Sequence, residues 1–267
     1  MDRWTSKENA TLKHYRKLSS SAKARRTEHL YTLEGLRLVA DGLESGADVR
    51  RLIWTETGLQ RWQAQVGDVP TEIPGALIPD DLGKTLADTT QPQGVFAICG
   101  MPDPLPPAQF FGGGAYILLV DLQDPGNVGT ILRTAEALGF SGAVCIHTAD
   151  VWSPKVTRST MGAVFRLPMR IAEDDVLAEL AYCKTYGITT YATVVDLDAT
   201  PITEARFAPS AALVVGNEGA GLADPVARAC DQRLTIPMRG RAQSLNAAMA
   251  AGIGMWEMVR THRGEDV

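Results

Sequence analysis

The sequence predicts an α/β protein of two domains, the second built on a mostly parallel sheet. Three observations predict it. Apolar runs of strand length recur between residues 116 and 237, with helix-length amphipathic stretches between them. Strands that are apolar throughout and alternate with helices belong in a parallel sheet covered on both faces. The stretch MPDPLPPAQFFGGG (101–114) is Pro-rich and then Gly-rich, so it neither continues a helix nor fills a sheet. Finally, 267 residues with 45% hydrophobic and 21% charged side chains suit a globular chain of one large or two ordinary domains. The division is drawn at 1–105 and 106–267.

In the first part, LYTLEGLRLVADGLESG reads as a short strand followed by a helix ending near Gly46, and VRRLIWT as the next strand. DLGKTLADTTQPQGVFAIC gives a helix, a turn and an apolar strand. This is a small α/β domain behind a basic helical extension. In the second part, strands are expected at YILLVDL (116–122), GAVCIHT (142–148), TTYATVV (189–195), AALVVG (211–216) and RLTIP (233–237). Between the first two, Val128, Ile131, Leu132, Ala135 and Leu138 form one apolar helix face, and Gly139 stands at a C-cap position. No internal repeat is visible.

No run of about 18 apolar residues occurs, so no membrane-spanning helix is expected. The N-terminus MDRWTSKENATLKHYRKL lacks the apolar core of a secretory signal. Cys99, Cys145, Cys183 and Cys230 are scattered, without metal-ligand spacing, and fit a reducing cytoplasm. With four histidines and no HxxxH, no metal is expected. The net charge of −5 conceals an asymmetry: residues 1–40 carry nine Lys/Arg against four Asp/Glu, which leaves −10 for the rest. Within TLKHYRKLSSSAKARR (11–26) six residues are basic and none acidic, a local attraction for a polyanion such as nucleic acid.

Ligands of parallel sheets bind at the carboxyl ends of strands, and the unusual residues fall there. After strand 116–122 comes DLQDPGNVGTILRTA, with a turn at Asp124-Pro125-Gly126, Asn127 as a helix N-cap, and Arg133 opposite the apolar stripe. After strand 211–216 comes GNEGAGL, whose glycines allow close approach of backbone to a ligand, and whose Asn217 and Glu218 are polar at the end of a buried strand. After the last strand comes PMRGRAQSLNAAM, where Met238 can pad an apolar ligand and Ser244 can cap the next helix. Packing gives no reason for Asn246 in the first turn of that helix. The GxGxxG and GxxxxGK[ST] fingerprints are missing, which counts against nicotinamide enzymes and phosphate-loop NTPases.

The three loops, DLQDPGNVGTILRTAEALGF, LVVGNEGAGL and LTIPMRGRAQSLNAAMAAGI, resemble in order the three motifs of the SpoU (TrmH-like) RNA methyltransferases of the SPOUT superfamily. The likeness runs from about residue 115 to 262 and includes SPKVTRSTMGAVFRLP (153–168). LYTLEGLRLV and LADTTQPQGVFAI are similar to the ribosomal-protein-like RNA-binding domain common in that family. Ala247 stands where the family usually has valine, a packing adjustment.

The resemblance implies a trefoil-knotted second domain that binds S-adenosylmethionine and dimerises through that domain. It implies that Thr193, Gly216, Asn217, Ile236, Met238, Leu245 and Asn246 hold the cofactor. Arg133, Asn127, Glu218, Ser244 and Asn246 would form the catalytic group. The implied activity is methylation of a ribose 2′-hydroxyl, on ribosomal RNA ahead of transfer RNA; the alternative is a non-catalytic RNA-binding or ribosome-assembly protein retaining the fold. Arg16, Lys17, Lys23, Arg25 and Arg26 are the expected RNA contacts, with Tyr15 available to stack on a base. An arginine stays cationic, so Arg133 is assigned charge stabilisation and phosphate positioning. For the proton, phosphate, water and Glu218 all remain open. A chain lacking residues 1–100 is expected to fold, bind cofactor and dimerise, with little activity on RNA.

Overall fold

The computed structural model describes residues 1–172 and 175–262, without the side chain of His262. The chain begins with β1 (Asp2–Arg3), α1 (Ala10–Ser20), α2 (Ala22–Glu28), β2 (Leu30–Glu34), α3 (Leu36–Glu44), β3 (Val49–Thr55), α4 (Glu56–Gln65), β4 (Gly75–Ile78), α5 (Asp80–Lys84) and β5 (Val95–Gly100). It continues with α6 (Pro107–Phe110), β6 (Ala115–Val120), α7 (Pro125–Ala137), β7 (Gly142–Ile146), α8 (Pro154–Ser159), β8 (Met169–Ala172) and α9 (Val176–Thr185). The remainder is β9 (Thr189–Thr193), β10 (Thr200–Pro201), β11 (Ala211–Val215), α10 (Asp224–Ala229), β12 (Gln232–Thr235) and α11 (Ala247–His262). The five strands expected after residue 115 are present. The short strands β1, β4, β8 and β10 were not expected; none exceeds four residues, too short for a periodicity to register.

Two compact units result, one of Met1–Asp103 with Trp152–Phe165, the other of Pro104–Val151 with Arg166 onward. In the first, the sheet order is β1-β4-β3-β5-β2, with β5 antiparallel to both neighbours and β4 parallel to its own. Asn9 caps α1 through the Thr11 and Leu12 amides, and Leu12, Tyr15 and Leu18 sink one face of the helix into the core. The Tyr15 hydroxyl donates to the Leu33 carbonyl at 3.1 Å. Tyr15 is therefore a core residue with a satisfied hydroxyl, and the stacking role expected for it is corrected.

The segment 152–165, which the sequence places in the second domain, packs in the first unit. Trp152 lies against Tyr31 with ring centroids 4.8 Å apart, and the Phe165 ring closes over Gly42. Arg158 pairs with Glu34 at 3.5 Å and with Asp88. Glu34 is itself buried and accepts the Asp88 amide at 2.8 Å, so the guanidinium balances a charge taken out of water.

Arg25 requires a second correction. It is 4% exposed, and its guanidinium donates to the Leu18 and Ser19 carbonyls at the end of α1. Those are carbonyls a helix terminus leaves without partners, so the charge is committed to structure. Arg25→Ala is expected to cost about 1–3 kcal/mol of stability in denaturant unfolding, whereas Lys23→Ala, at an exposed position, should leave the midpoint unmoved.

In the second unit seven parallel strands run in the order β10-β12-β9-β11-β6-β7-β8. β6, β7 and β11 are buried along nearly their whole length, as their continuous apolar sequences require. The expected linker is partly core: Phe110 and Phe111 are each 4% exposed and pack on Tyr116, with Tyr186 stacked on Phe111. α11 packs closely on the sheet, because a Cβ at Gly254 would stand 2.6 Å from the Leu213 side chain.

Candidate functional site

A cavity of about 490 Å³ opens at the carboxyl ends of β9, β11 and β12. Thr193, Gly216, Asn217, Ile236, Met238, Leu245 and Ser244 all line it. Six of the seven residues expected to hold a cofactor are thus brought together; Asn246 stands just outside the lining. The walls combine Ile202, Leu222, Leu234 and Ala250 with Asp196 and Arg233, which pair at 2.7 Å. Walls that are part apolar and part polar, at this volume, suit a nucleoside-sized ligand with a charged end.

The GNEGAGL loop owes its shape to two glycines. A Cβ on Gly216 would lie 2.3 Å from the Gly221 carbonyl carbon, so the chain returns against itself only because none is there. Gly221 takes φ +68°, a left-handed conformation that costs glycine little. Asn217 and Gly221 exchange backbone hydrogen bonds of 3.1 and 2.9 Å, while the Asn217 side-chain oxygen accepts the Gly219 and Ala220 amides. Gly216→Ala should therefore open the loop and weaken a nucleoside ligand at least tenfold, about 1.4 kcal/mol, as read by titration calorimetry.

Glu218 joins the loops. Its carboxylate accepts the Asp124 amide at 2.9 Å, the Gln123 amide at 3.2 Å and the Asn127 side-chain amide at 3.2 Å. The anion thus sits at the N-terminus of α7, where unpaired N–H groups and the helix dipole favour it. Burial, the largest single influence, would raise this carboxyl; the hydrogen bonds from Asp124, its own amide, Gln123 and Asn127 together outweigh it and hold it below the usual carboxylate range. A depressed folded-state value means the network's contribution is complete above the ordinary carboxylate range and is lost as pH falls through the lowered value. Cofactor binding should accordingly persist through the ordinary carboxylate range and fall away only at pH values below it, and Glu218→Gln should remove that limb.

From Asn127 the network passes to α11: the Asn246 side-chain nitrogen donates to the Asn127 side-chain oxygen at 3.0 Å. The Asn246 oxygen accepts the Ala248 and Met249 amides at 2.9 and 3.2 Å. Two expected helix caps are corrected here. Asn246 and not Ser244 caps α11, and Asp124 and not Asn127 caps α7, accepting the Asn127 amide at 2.8 Å. Asn127, freed from capping, joins Glu218 to Asn246, and Ser244 lines the cavity. Asn246 therefore has a structural duty and a site contact at once.

Arg133 lies on the exposed face of α7 with Thr130, opposite buried Val128, Ile131, Leu132 and Ala135. Among the described residues it has no hydrogen-bond or ion-pair partner. In the first unit, Lys17 pairs with Glu28 at 2.7 Å and Arg16 donates to the Lys7 carbonyl at 2.6 Å, while Lys23 and Arg26 are exposed.

Sequence reasoning missed Gln123, whose side chain donates to the Asp121 and His147 carbonyls at 3.2 and 2.7 Å. It also missed the Asp196–Arg233 pair on the cavity wall. Their signal is weak, since a glutamine in a loop, an aspartate three residues past β9 and an arginine on β12 are ordinary until β9 and β12 are seen to be adjacent.

Residues 114–256 match the SpoU rRNA Methylase family, and residues 9–97 match the MRM3-like substrate binding domain. The chain is 32% identical to the 23S rRNA (guanosine(2553)-2'-O)-methyltransferase RlmP of Bacillus subtilis, over 95% of this chain and 97% of that one. It is 30% identical to the 23S rRNA (uridine(2479)-2'-O)-methyltransferase of Streptomyces viridochromogenes, over 94% of this chain and 90% of that one. An AdoMet-bound rRNA methyltransferase from Sinorhizobium meliloti superposes with a TM-score of 0.84 at 30% identity, covering 98% of both chains. With the family match spanning more than half of its length, over the strand-end cavity and the loops that enclose it, the chain belongs to the SpoU rRNA Methylase family.

Proposed function

We propose that this protein transfers a methyl group from S-adenosylmethionine to a ribose 2′-hydroxyl of ribosomal RNA. The observation that carries the reading is the junction of the cavity with the Glu218–Asn127–Asn246 network, which ties three loops together at the start of the helix that carries Arg133. The cavity residues fit the cofactor: Thr193, Gly216, Asn217, Ile236, Met238 and Leu245 hold its nucleoside, and Ser244 and Asn246 face its reactive end. When bound, S-adenosylmethionine supplies an activated methyl group with a neutral thioether as leaving group.

The protein's share is position and charge. Glu218 and Asn127 fix the start of α7, and that helix carries Arg133. A guanidinium held over the acceptor ribose stabilises the charge that develops on oxygen and grips an adjoining phosphate. Holding the hydroxyl in line with the methyl group contributes on the order of 7–11 kcal/mol of the barrier.

Residues 1–103 bind the RNA, with Lys23 and Arg26 as free phosphate contacts and Arg16 and Lys17 beside them. The likeness of residues 9–97 to a substrate binding domain supports this. α11 mediates a homodimer, since Met249, Ile253 and Trp256 recur at i, i+4 and i+7 and are 62, 36 and 54% exposed. The chain threads its C-terminal segment into a trefoil knot around the cavity. Four buried free cysteines agree with a cytoplasmic location.

Methyl-labelled cofactor incubated with unmodified ribosomal RNA, and separately with transfer RNA, is expected to label the ribosomal RNA. Label in transfer RNA alone would reassign the substrate. Cofactor binding with no label in either would favour a non-catalytic RNA-binding protein.

A further inference from the structure

Methyl transfer to a hydroxyl releases one proton, and the residues discussed so far do not account for it. Arg133 is a guanidinium at any working pH and cannot accept it. Both oxygens of Glu218 are occupied by donors, and the carboxyl is held below its usual range, which makes it a weak base. Asn127, Asn246 and Ser244 have no basic nitrogen.

Two strained residues stand at the same end of the sheet. Asp121 follows β6 with φ +56°, and His147 follows β7 with φ +52°. For residues with a Cβ this conformation is unfavourable and persists where surrounding structure enforces it, often at functional sites. The enforcing contact is visible. Gln123 donates one side-chain amide to both carbonyls, at 3.2 Å to Asp121 and 2.7 Å to His147. The Asp121 carbonyl also accepts the Asn217 side-chain nitrogen at 2.8 Å, and Asn217 lines the cavity.

At these two turns a carboxylate lies beside an imidazole. His147 Nδ1 lies 3.5 Å from Asp121 Oδ1, and the two side chains are 51 and 57% exposed. With Nδ1–H toward the carboxylate, Nε2 keeps its lone pair, the arrangement that suits a general base. β7 is two strands from β11, so the end of β7 lies about 10 Å from the cavity loop. An acceptor nucleotide placed over the end of β6 would have the cavity on one side and the imidazole on the other.

We propose that His147, oriented by Asp121, accepts the 2′-hydroxyl proton during methyl transfer. This rests on the reading of the chain as a ribose methyltransferase. The oxygen–carbon bond forms as the sulfur–carbon bond breaks and sulfur keeps the electron pair. The hydroxyl proton passes to Nε2, Asp121 stabilises the imidazolium, and the proton then leaves to water. Asp121 is a positioning residue in this scheme.

The test is single-turnover methylation of ribosomal RNA by the full chain and by His147→Gly and His147→Asn, both residues that tolerate positive φ. Each variant should bind RNA and cofactor as the parent does, melt at the same or a higher temperature, and transfer methyl about 10²- to 10⁴-fold more slowly. Added imidazole should recover rate in His147→Gly. Asp121→Asn, also tolerant of positive φ, should lose less. A rate near the parent's in His147→Gly, or a loss carried wholly by RNA affinity without imidazole recovery, overturns the proposal. If the parent chain makes no 2′-O-methyl product while His147→Gly remains folded, the ribose methyltransferase reading fails first, and this assignment with it.

Discussion

Arg133→Ala is expected to lower the methylation rate by about 10²- to 10³-fold, or about 3–4 kcal/mol in the barrier, with the fold and cofactor affinity intact. The side chain is exposed on α7 and, among the described residues, has no hydrogen-bond or ion-pair partner, so its removal breaks neither. Its charge matters only once a substrate is present. Lysine should not restore the rate, because a point charge cannot grip a phosphate and a developing alkoxide in one plane. Single-turnover rates, with melting temperature and cofactor titration alongside, check this. Near-parental turnover in Arg133→Ala would remove Arg133 from the site.

Removing residues 1–103 is expected to damage more than RNA binding. The sequence alone suggests a freely separable second domain, but residues 152–165 are packed in the first unit. Truncation would leave Trp152 without Tyr31, Phe165 without Gly42, and Arg158 without both carboxylates. Exposing buried Trp152 and half-buried Phe165 costs on the order of 2–4 kcal/mol, a large part of the ~5–15 kcal/mol that holds an ordinary domain. The truncated chain should therefore bind dyes for exposed apolar surface, melt well below the full chain or aggregate, and lose cofactor affinity. A soluble truncated chain with parental melting and cofactor affinity would restore the simpler division. Joining 104–267 with a separately supplied 1–103 should recover part of the loss.

Much of the site was legible because its constraints are local. Gly216 and Gly221 are needed within one tight loop, and Glu218 is conspicuous at the end of a buried strand. What escaped depends on distance along the chain. Ser244 and Asn246 are both able to cap a helix; α11 begins at Ala247, so the cap is Asn246, whose side-chain nitrogen reaches Asn127, 119 positions away. Arg25 and Arg26 are adjacent in a seven-residue helix, too short for its buried face to show in the sequence, yet one is in the core and the other in water. Segment 152–165 reads as part of the second domain because it lies between two of that domain's strands. Its true partners, Tyr31, Glu34, Gly42 and Asp88, are 70 or more positions away. Phe110 and Phe111 were hidden by the prolines and glycines around them.

The measurement that bears most directly on the central claim is the chemical position of the transferred methyl group. Ribosomal RNA labelled by the full chain with methyl-labelled S-adenosylmethionine would be digested to completion in alkali. A 2′-O-methyl group removes the neighbouring nucleophile and blocks cleavage at that phosphate. The proposed arrangement, in which Arg133 and the joined loops are set against a ribose hydroxyl, predicts label in alkali-stable dinucleotides. Label confined to mononucleotides would place the methyl group on a base and contradict it.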